Sequence, residues 1–313
     1  MHLLTMNNLK EKQLKNNNKP LLLYGITPPR KDIDENKLQE INAKRIDRIK
    51  KLPIDGLIVY DVQDESLRNN EKRPFPYIAT IDAFSYVNLY LNSLSCDKII
   101  YKPVSNQDAG EFKKWLNSPG ILNNNYVFVG SPSTKLKPQM SLDDAYKIIA
   151  VEKPEITFGA IMIPERHQVK NNEHERVINK SNQGASFFIS QCVYNIELTK
   201  NYLSDYYYFC INNSIAIQRQ VFTFTPCGSV NTLNFMKWLG ISIPKWLENE
   251  LYNSANILEK SIEENLKNIA EIIKFCKEKN IPYGINIESV SIKKEEIDAS
   301  IYMIETASAM LKR

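Results

Sequence analysis

The chain has 313 residues, 43% of them hydrophobic, enough to bury a large core, and it contains no run of about eighteen apolar residues that would span a bilayer. Its 40 Lys and Arg against 36 Asp and Glu give a formal charge of +4, spread without a basic block, so neither nucleic-acid nor membrane-surface binding is expected. Five cysteines without C-x-x-C spacing and only three histidines argue against a zinc site and for reduced thiols in a cytoplasm.

Residues 1–19, MHLLTMNNLKEKQLKNNNK, read as a polar N-terminal arm, too poor in apolar residues for a secretory signal. From 20 to 313 no Gly-, Pro- or Ser-rich stretch marks a boundary, so one domain is expected. Short β-rich runs then alternate with helical patterns. PLLLYGI (20–26) precedes NKLQEINAKRIDRIKKL, and GLIVYDV (56–62) precedes TIDAFSYVNLYLNSL. KIIYKPV (98–104) leads to QDAGEFKKWLNS, and YVFVGS (126–131) to SLDDAYKIIAVE. ITFGAIMI (156–163) leads to HERVINKSNQ, and ASFFISQ (185–191) to ELTKNYLSDYYYFCINN. RQVFTFT (219–225) is followed by a longer helical pair, from TLNFMKWLG to SIEENLKNIAEIIKFCKEKN, and PYGINIE (282–288) is the last strand. Strands apolar on both faces, separated by helical crossovers, describe a parallel sheet covered by helices. Eight such units point to a single (β/α)8 TIM barrel, and the lack of any G-x-G-x-x-G turn argues against an open dinucleotide-binding sheet.

In such a barrel the chemistry gathers where strands end. Those ends carry Asp61, Asp64 and Glu65 after the second strand, Lys102 after the third, Ser131 after the fourth, and Glu165, Arg166 and His167 after the fifth. Ser190 and Gln191 close the sixth, and Asn286 and Glu288 the eighth. One face so rich in carboxylates and amides suits a polar organic ligand with apolar rings. For each residue the simpler role is solvation or helix capping, and His167 in particular can serve only to orient its loop. His174 reads as solvated, and the run Tyr206-Tyr207-Tyr208 with Trp115, Trp238 and Trp246 as packing.

The segments IPERH, NKSNQGASFFISQCVYN and ISIPKWL, at their spacings, together with YGITPPR on the first strand, resemble the methylenetetrahydrofolate reductase family. The resemblance is clearest from residue 156 onward. It implies the same barrel, FAD as cofactor, NADH or NADPH as hydride source and a reduced folate as substrate. It implies folate contact by Gln191, with Tyr194 and Asn195 in the same motif, and cofactor contact by His167, Lys180 and Ser131. Ser131 stands where the family has an aspartate, Val129 where it has an arginine, and Gly25 where it has the glutamate that acts as general acid. A glycine has no proton to give, so the acid must come from elsewhere in the mouth. Glu288 is the expected source, because period-two alternation points it the same way as Asn286 and Gly284, and Glu65 is the second candidate. The alternative is a folate-binding one-carbon transfer enzyme or a regulatory subunit without reductase activity. A homo-oligomer or a partner protein is left open.

Overall fold

The computed structural model describes residues 19–65, 71–131 and 137–312. The polar arm expected over 1–19 therefore lies, but for Lys19, outside the described residues, as does Arg313. Eight parallel strands close into a barrel in chain order: β1 Leu21–Ile26, β2 Gly56–Val59, β3 Asp97–Pro103, β4 Asn125–Val129, β5 Phe158–Met162, β6 Phe187–Cys192, β7 Arg219–Phe224 and β8 Tyr283–Glu288. Closure is made by β1, which pairs with β2 on one side and with β8 on the other.

The helices α1 Glu35–Lys50, α2 Ala83–Tyr90, α3 Ala109–Leu116, α4 Leu142–Glu152, α5 Pro164–Lys170 and α6 Glu173–Asn182 follow the first five strands. After β6 comes α7 Ile196–Asn212, after β7 come α8 Val230–Trp238, α9 Lys245–Asn253 and α10 Ile257–Lys279, and α11 Lys294–Leu311 completes the ring. Side-chain caps set several starts: Asp34 accepts from Asn36 and Lys37, Asp82 from Ser85, and Asp108 forms a capping box with Glu111. Two readings change here. The loop expected to carry His167 is helix α5, with Pro164 at its first position, and the long helical pair after β7 is three helices.

Alternate residues fill the barrel. Leu21, Leu23, Ile58, Ile99, Val127, Phe187, Ile189 and Val221 form the interior cluster, while their sequence neighbours pack outward beneath the helices. Gly159 lets the Phe187 ring lie against the β5 backbone, since a Cβ there would stand 2.4 Å from Cε2 of that ring. At the base, Arg219 is fully buried and its Nη1 donates to the carbonyls of Lys19 and Tyr283, both at 2.8 Å. Burial pulls its pKa down to about 10, against the upward pull of Asp55. The aromatic expectations hold only in part: Tyr206 is buried, but Tyr208 is 51% and Trp246 56% exposed. His174 is half-buried rather than solvated, its ring edge-on to His167 and Phe209.

Two irregularities shape the mouth. Between Ile189 and Cys192 the β6–β7 register slips, so that three steps on β6 face two on β7. Ser190 sits in this bulge, and its Oγ takes the Thr223 N–H at 3.0 Å. The second is a strap. Residues 79–81 pair with 29–31 after β1, and residues 71–75 reach α8, where Trp238 Nε1 donates to the Glu71 carbonyl at 3.0 Å and Phe75 meets Phe235 edge-on at 5.3 Å. Arg73 stacks over both Phe235 and Trp238. The strap thus ties the segment after β1 to the helix after β7.

Candidate functional site

The upper interior of the barrel turns polar. Gly25, Tyr60, Tyr101, Cys192, Thr223, Asn286 and Glu288 replace the aliphatic layers below. The carboxyl of Glu288 takes the space that a side chain on β1 would need. A Cβ at Gly25 would stand 2.9 Å from the Glu288 Cβ, 3.1 Å from its Oε2 and 2.8 Å from the Tyr60 ring. Gly25 and Glu288 are register partners across the closing seam, which is why a missing side chain on one strand is filled from the other.

Glu288 Oε1 accepts from Cys192 Sγ at 3.4 Å, while Oε2 is buried and makes no hydrogen bond of good geometry. Burial pushes the carboxyl's pKa upward, offset in part by Tyr60, Cys192 and Asn286, which lie close enough to favour its charge. Asn286 Nδ2 donates to the Tyr60 hydroxyl at 3.0 Å and to Thr223 Oγ1 at 3.3 Å, and the Tyr60 ring stands edge-on to Tyr101 at 4.6 Å. Burial, then Glu288, then Tyr101 raise the Tyr60 hydroxyl well above its ordinary range. The Cys192 thiol is raised by burial and by the nearby carboxyls of Glu288 and Glu165. Burial thus raises the proton affinity of all three of these titratable groups, Glu288, Tyr60 and Cys192. Glu165, at the start of α5, belongs to the same centre, its pKa pushed up to about 7 by burial and by Glu173 against the pull of its own amide and that of Ser242.

The other expected residues divide into three places. Gln191 is half-buried at the end of β6, and its Nε2 donates to the Leu239 carbonyl at 3.1 Å beyond α8. Asn195 caps the start of α7, half-buried, with no side-chain cap bond. Tyr194 is 2% exposed and lies below them, its hydroxyl donating to the Thr225 carbonyl at 2.5 Å and accepting from Asn265 at 3.0 Å. His167 and Lys180 lie in the helical layer behind β5. His167 is 4% exposed, with Nε2 2.9 Å from Asp205 and its ring edge-on to Tyr202. Lys180 gives its ammonium to the Ile161 carbonyl, and burial lowers its pKa to about 8 against the opposing pull of Glu173. Ser131 stands on the opposite side of the mouth, in a cleft between the strap and the ends of β2, β3 and β4. Glu65 is half-buried in the segment leaving that cleft, beyond Asp61 and Asp64.

The residues that the resemblance assigns to FAD thus fall on two sides of β4 and β5, and two of them are committed to protein partners. They do not form a flavin cradle. Asp61, one of the mouth carboxylates that the sequence offers in place of the missing acid, is half-buried in the cleft, and its pKa rises to about 6 through burial and Asp82, against Lys102. No group of three or more His, Cys, Asp or Glu among the described residues is placed to hold a metal ion, and none of their helices is long and apolar enough to cross a membrane.

No protein-family model matches the chain, and no curated protein matches it. Solved structures do. The EDTA monooxygenase of Chelativorans sp. BNC1 superposes with a TM-score of 0.51 at 7% identity over 94% of each chain, a likeness of fold alone. An uncharacterized protein from Clostridium thermocellum, solved with two copies of 5-methyl-5,6,7,8-tetrahydrofolic acid, superposes with a TM-score of 0.84 at 42% identity over 96% of this chain and 99% of that one. Identity of that depth along nearly the whole of both chains means that this chain belongs to the family of the Clostridium thermocellum protein.

Proposed function

We propose that the protein binds reduced folates in the barrel mouth, two molecules per chain, and that one of them is the substrate of a methylenetetrahydrofolate reductase-type reaction. The binding reading is supported by the 5-methyltetrahydrofolate found on its Clostridium thermocellum relative. Gln191 supports it from the chain's own side, since an amide offers both the donor and the acceptor that a pterin edge requires.

The observation that carries the reaction is the placement of Glu288 in the space over Gly25, with a buried Oε2 and an upward-shifted pKa. Hydride from NADH or NADPH adds to the methylene carbon of 5,10-methylenetetrahydrofolate, and the bond from that carbon to N10 breaks. N10 takes the proton of Glu288, giving 5-methyltetrahydrofolate and the oxidised nicotinamide, and water returns a proton to the carboxylate. A carboxyl whose proton affinity is raised by burial is suited to this step. With no flavin cradle, the hydride passes directly between the two substrates.

The placement of His167 and Lys180 on Asp205 and Ile161 also favours a second reading, a folate-binding one-carbon transfer or regulatory protein without reductase activity. Nicotinamide oxidation in the presence of methylenetetrahydrofolate separates the two. Under the reductase reading Glu288→Gln lowers turnover by about 100-fold while 5-methyltetrahydrofolate affinity stays within a few-fold. Wild-type protein that binds the folate yet oxidises neither nucleotide establishes the second reading instead.

A further inference from the structure

The mouth has a side that the proposed reaction does not use. On the β6–β8 side lie Gln191 and Glu288. On the β2–β4 side the cleft has a volume of about 640 Å³, in the range of pockets that enclose an organic ligand, and Asp61, Lys102, Ser131, Tyr77, Lys31 and Lys137 are among its walls.

The charges in this cleft lie at two depths. Asp61 is half-buried directly after β2, next to the Tyr60 that faces Glu288. Lys102 is held inward, 14% exposed, with its ammonium 3.9 Å from Asp82 and 5.1 Å from the Trp115 ring centre. Lys31 and Lys137 are exposed at the rim. The inner end thus carries both a carboxyl, Asp61, and an ammonium, Lys102, whose charges act on each other, while Asp64, Asp82, Lys31 and Lys137 are exposed. Such an inner end matches a ligand that sets N–H donors beside a carbonyl acceptor at its buried edge, and the rim lysines suit an anionic outer end.

Resting on the reading that this chain binds reduced folate, we propose that the cleft holds the second folate molecule, its pterin N–H edge on Asp61 and its glutamate carboxylates toward Lys31 and Lys137. A reduced pterin presents the N3–H and 2-amino donors side by side, and a carboxylate is the side chain that accepts both at once. Burial and Asp82 disfavour the Asp61 carboxylate, against Lys102, so two donors at this point would offset a cost that Lys102 meets only in part. Ser131 lines the same walls.

Calorimetric titration of the full chain with 5-methyltetrahydrofolate tests this. Wild-type protein takes up two molecules. Asp61→Ala weakens one site by about 30-fold or more and spares the other, whereas Gln191→Ala weakens only the other. Asp61→Asn, which keeps the shape but turns an amino group toward the pterin donors, gives the same loss, and unchanged circular dichroism of both Asp61 variants separates it from misfolding. Two sites that both survive the Asp61 substitutions overturn the proposal. So does a single wild-type site that Gln191→Ala removes and Asp61→Ala spares, with the folate reading intact, while wild-type protein that binds no folate removes that reading itself.

Discussion

Glu165 shows how one carboxyl ties this mouth to solvent pH. In the folded chain its proton leaves at about 7, against 4.5 for an ordinary glutamate, so between those values the folded state binds more protons than the unfolded one. Stability therefore falls as pH rises through that window, and the rise from 4.5 to about 7 corresponds to a loss of about 3 kcal/mol, complete above pH 7. Replacing it by glutamine removes the titrating group. Glu165→Gln is expected to denature at higher urea than wild type at pH 8 and to match it near pH 5; equal midpoints at pH 8 would show that the carboxyl is solvated. The residue came within reach of the sequence reading as one of several carboxylates at strand ends. Its proton affinity did not, because that depends on Glu173 and Ser242, brought to it by α6 and by the turn before α9.

Among the elements, the β6 bulge answers a question that the strand's own sequence poses, why GASFFISQCVYN breaks its apolar run at Ser190 and Gln191. The break is where one extra residue enters the strand, and the Ser190 hydroxyl replaces the ladder bond that Thr223 would otherwise lose. Ser190→Ala leaves that buried N–H without a partner, for an expected loss of about 1 to 3 kcal/mol, with faster hydrogen exchange at the Thr223 amide. Ser190→Thr keeps the hydroxyl and is expected to restore most of it. The strand order and closed barrel were legible, because alternation of strand and helix is a local pattern repeated along the chain. So was the inward direction of Glu288, which follows from period two once β8 is placed. The bulge was not, since one inserted residue reads like ordinary polar punctuation. Nor was α5, seven residues long and too short to show a helical period. The strap has no periodicity at all, and its anchors, Glu71 with Trp238 and Phe75 with Phe235, are joined only by folding.

At the scale of the whole molecule, the barrel is sealed at its base by a cation and open at its mouth to protons. Arg219 holds the Lys19 and Tyr283 carbonyls from inside, while Asp55 receives the Leu22 N–H at 2.8 Å and the Lys19 ammonium at 3.0 Å. Arg219→Ala opens a cavity and strands two carbonyls, and an expected loss of about 3 kcal/mol or more is read from the denaturation midpoint at unchanged slope. At the other end, the seam between β1 and β8 has room for one carboxyl only. Because a Cβ at Gly25 would already stand 2.8 Å from the Tyr60 ring and 2.9 Å from the Glu288 Cβ, an acid cannot be added on β1 while the one on β8 stays. The two positions are therefore epistatic. A glutamate placed at position 25 alone would force the Tyr60 ring and Glu288 aside, whereas the same change made together with Glu288→Gly would have room.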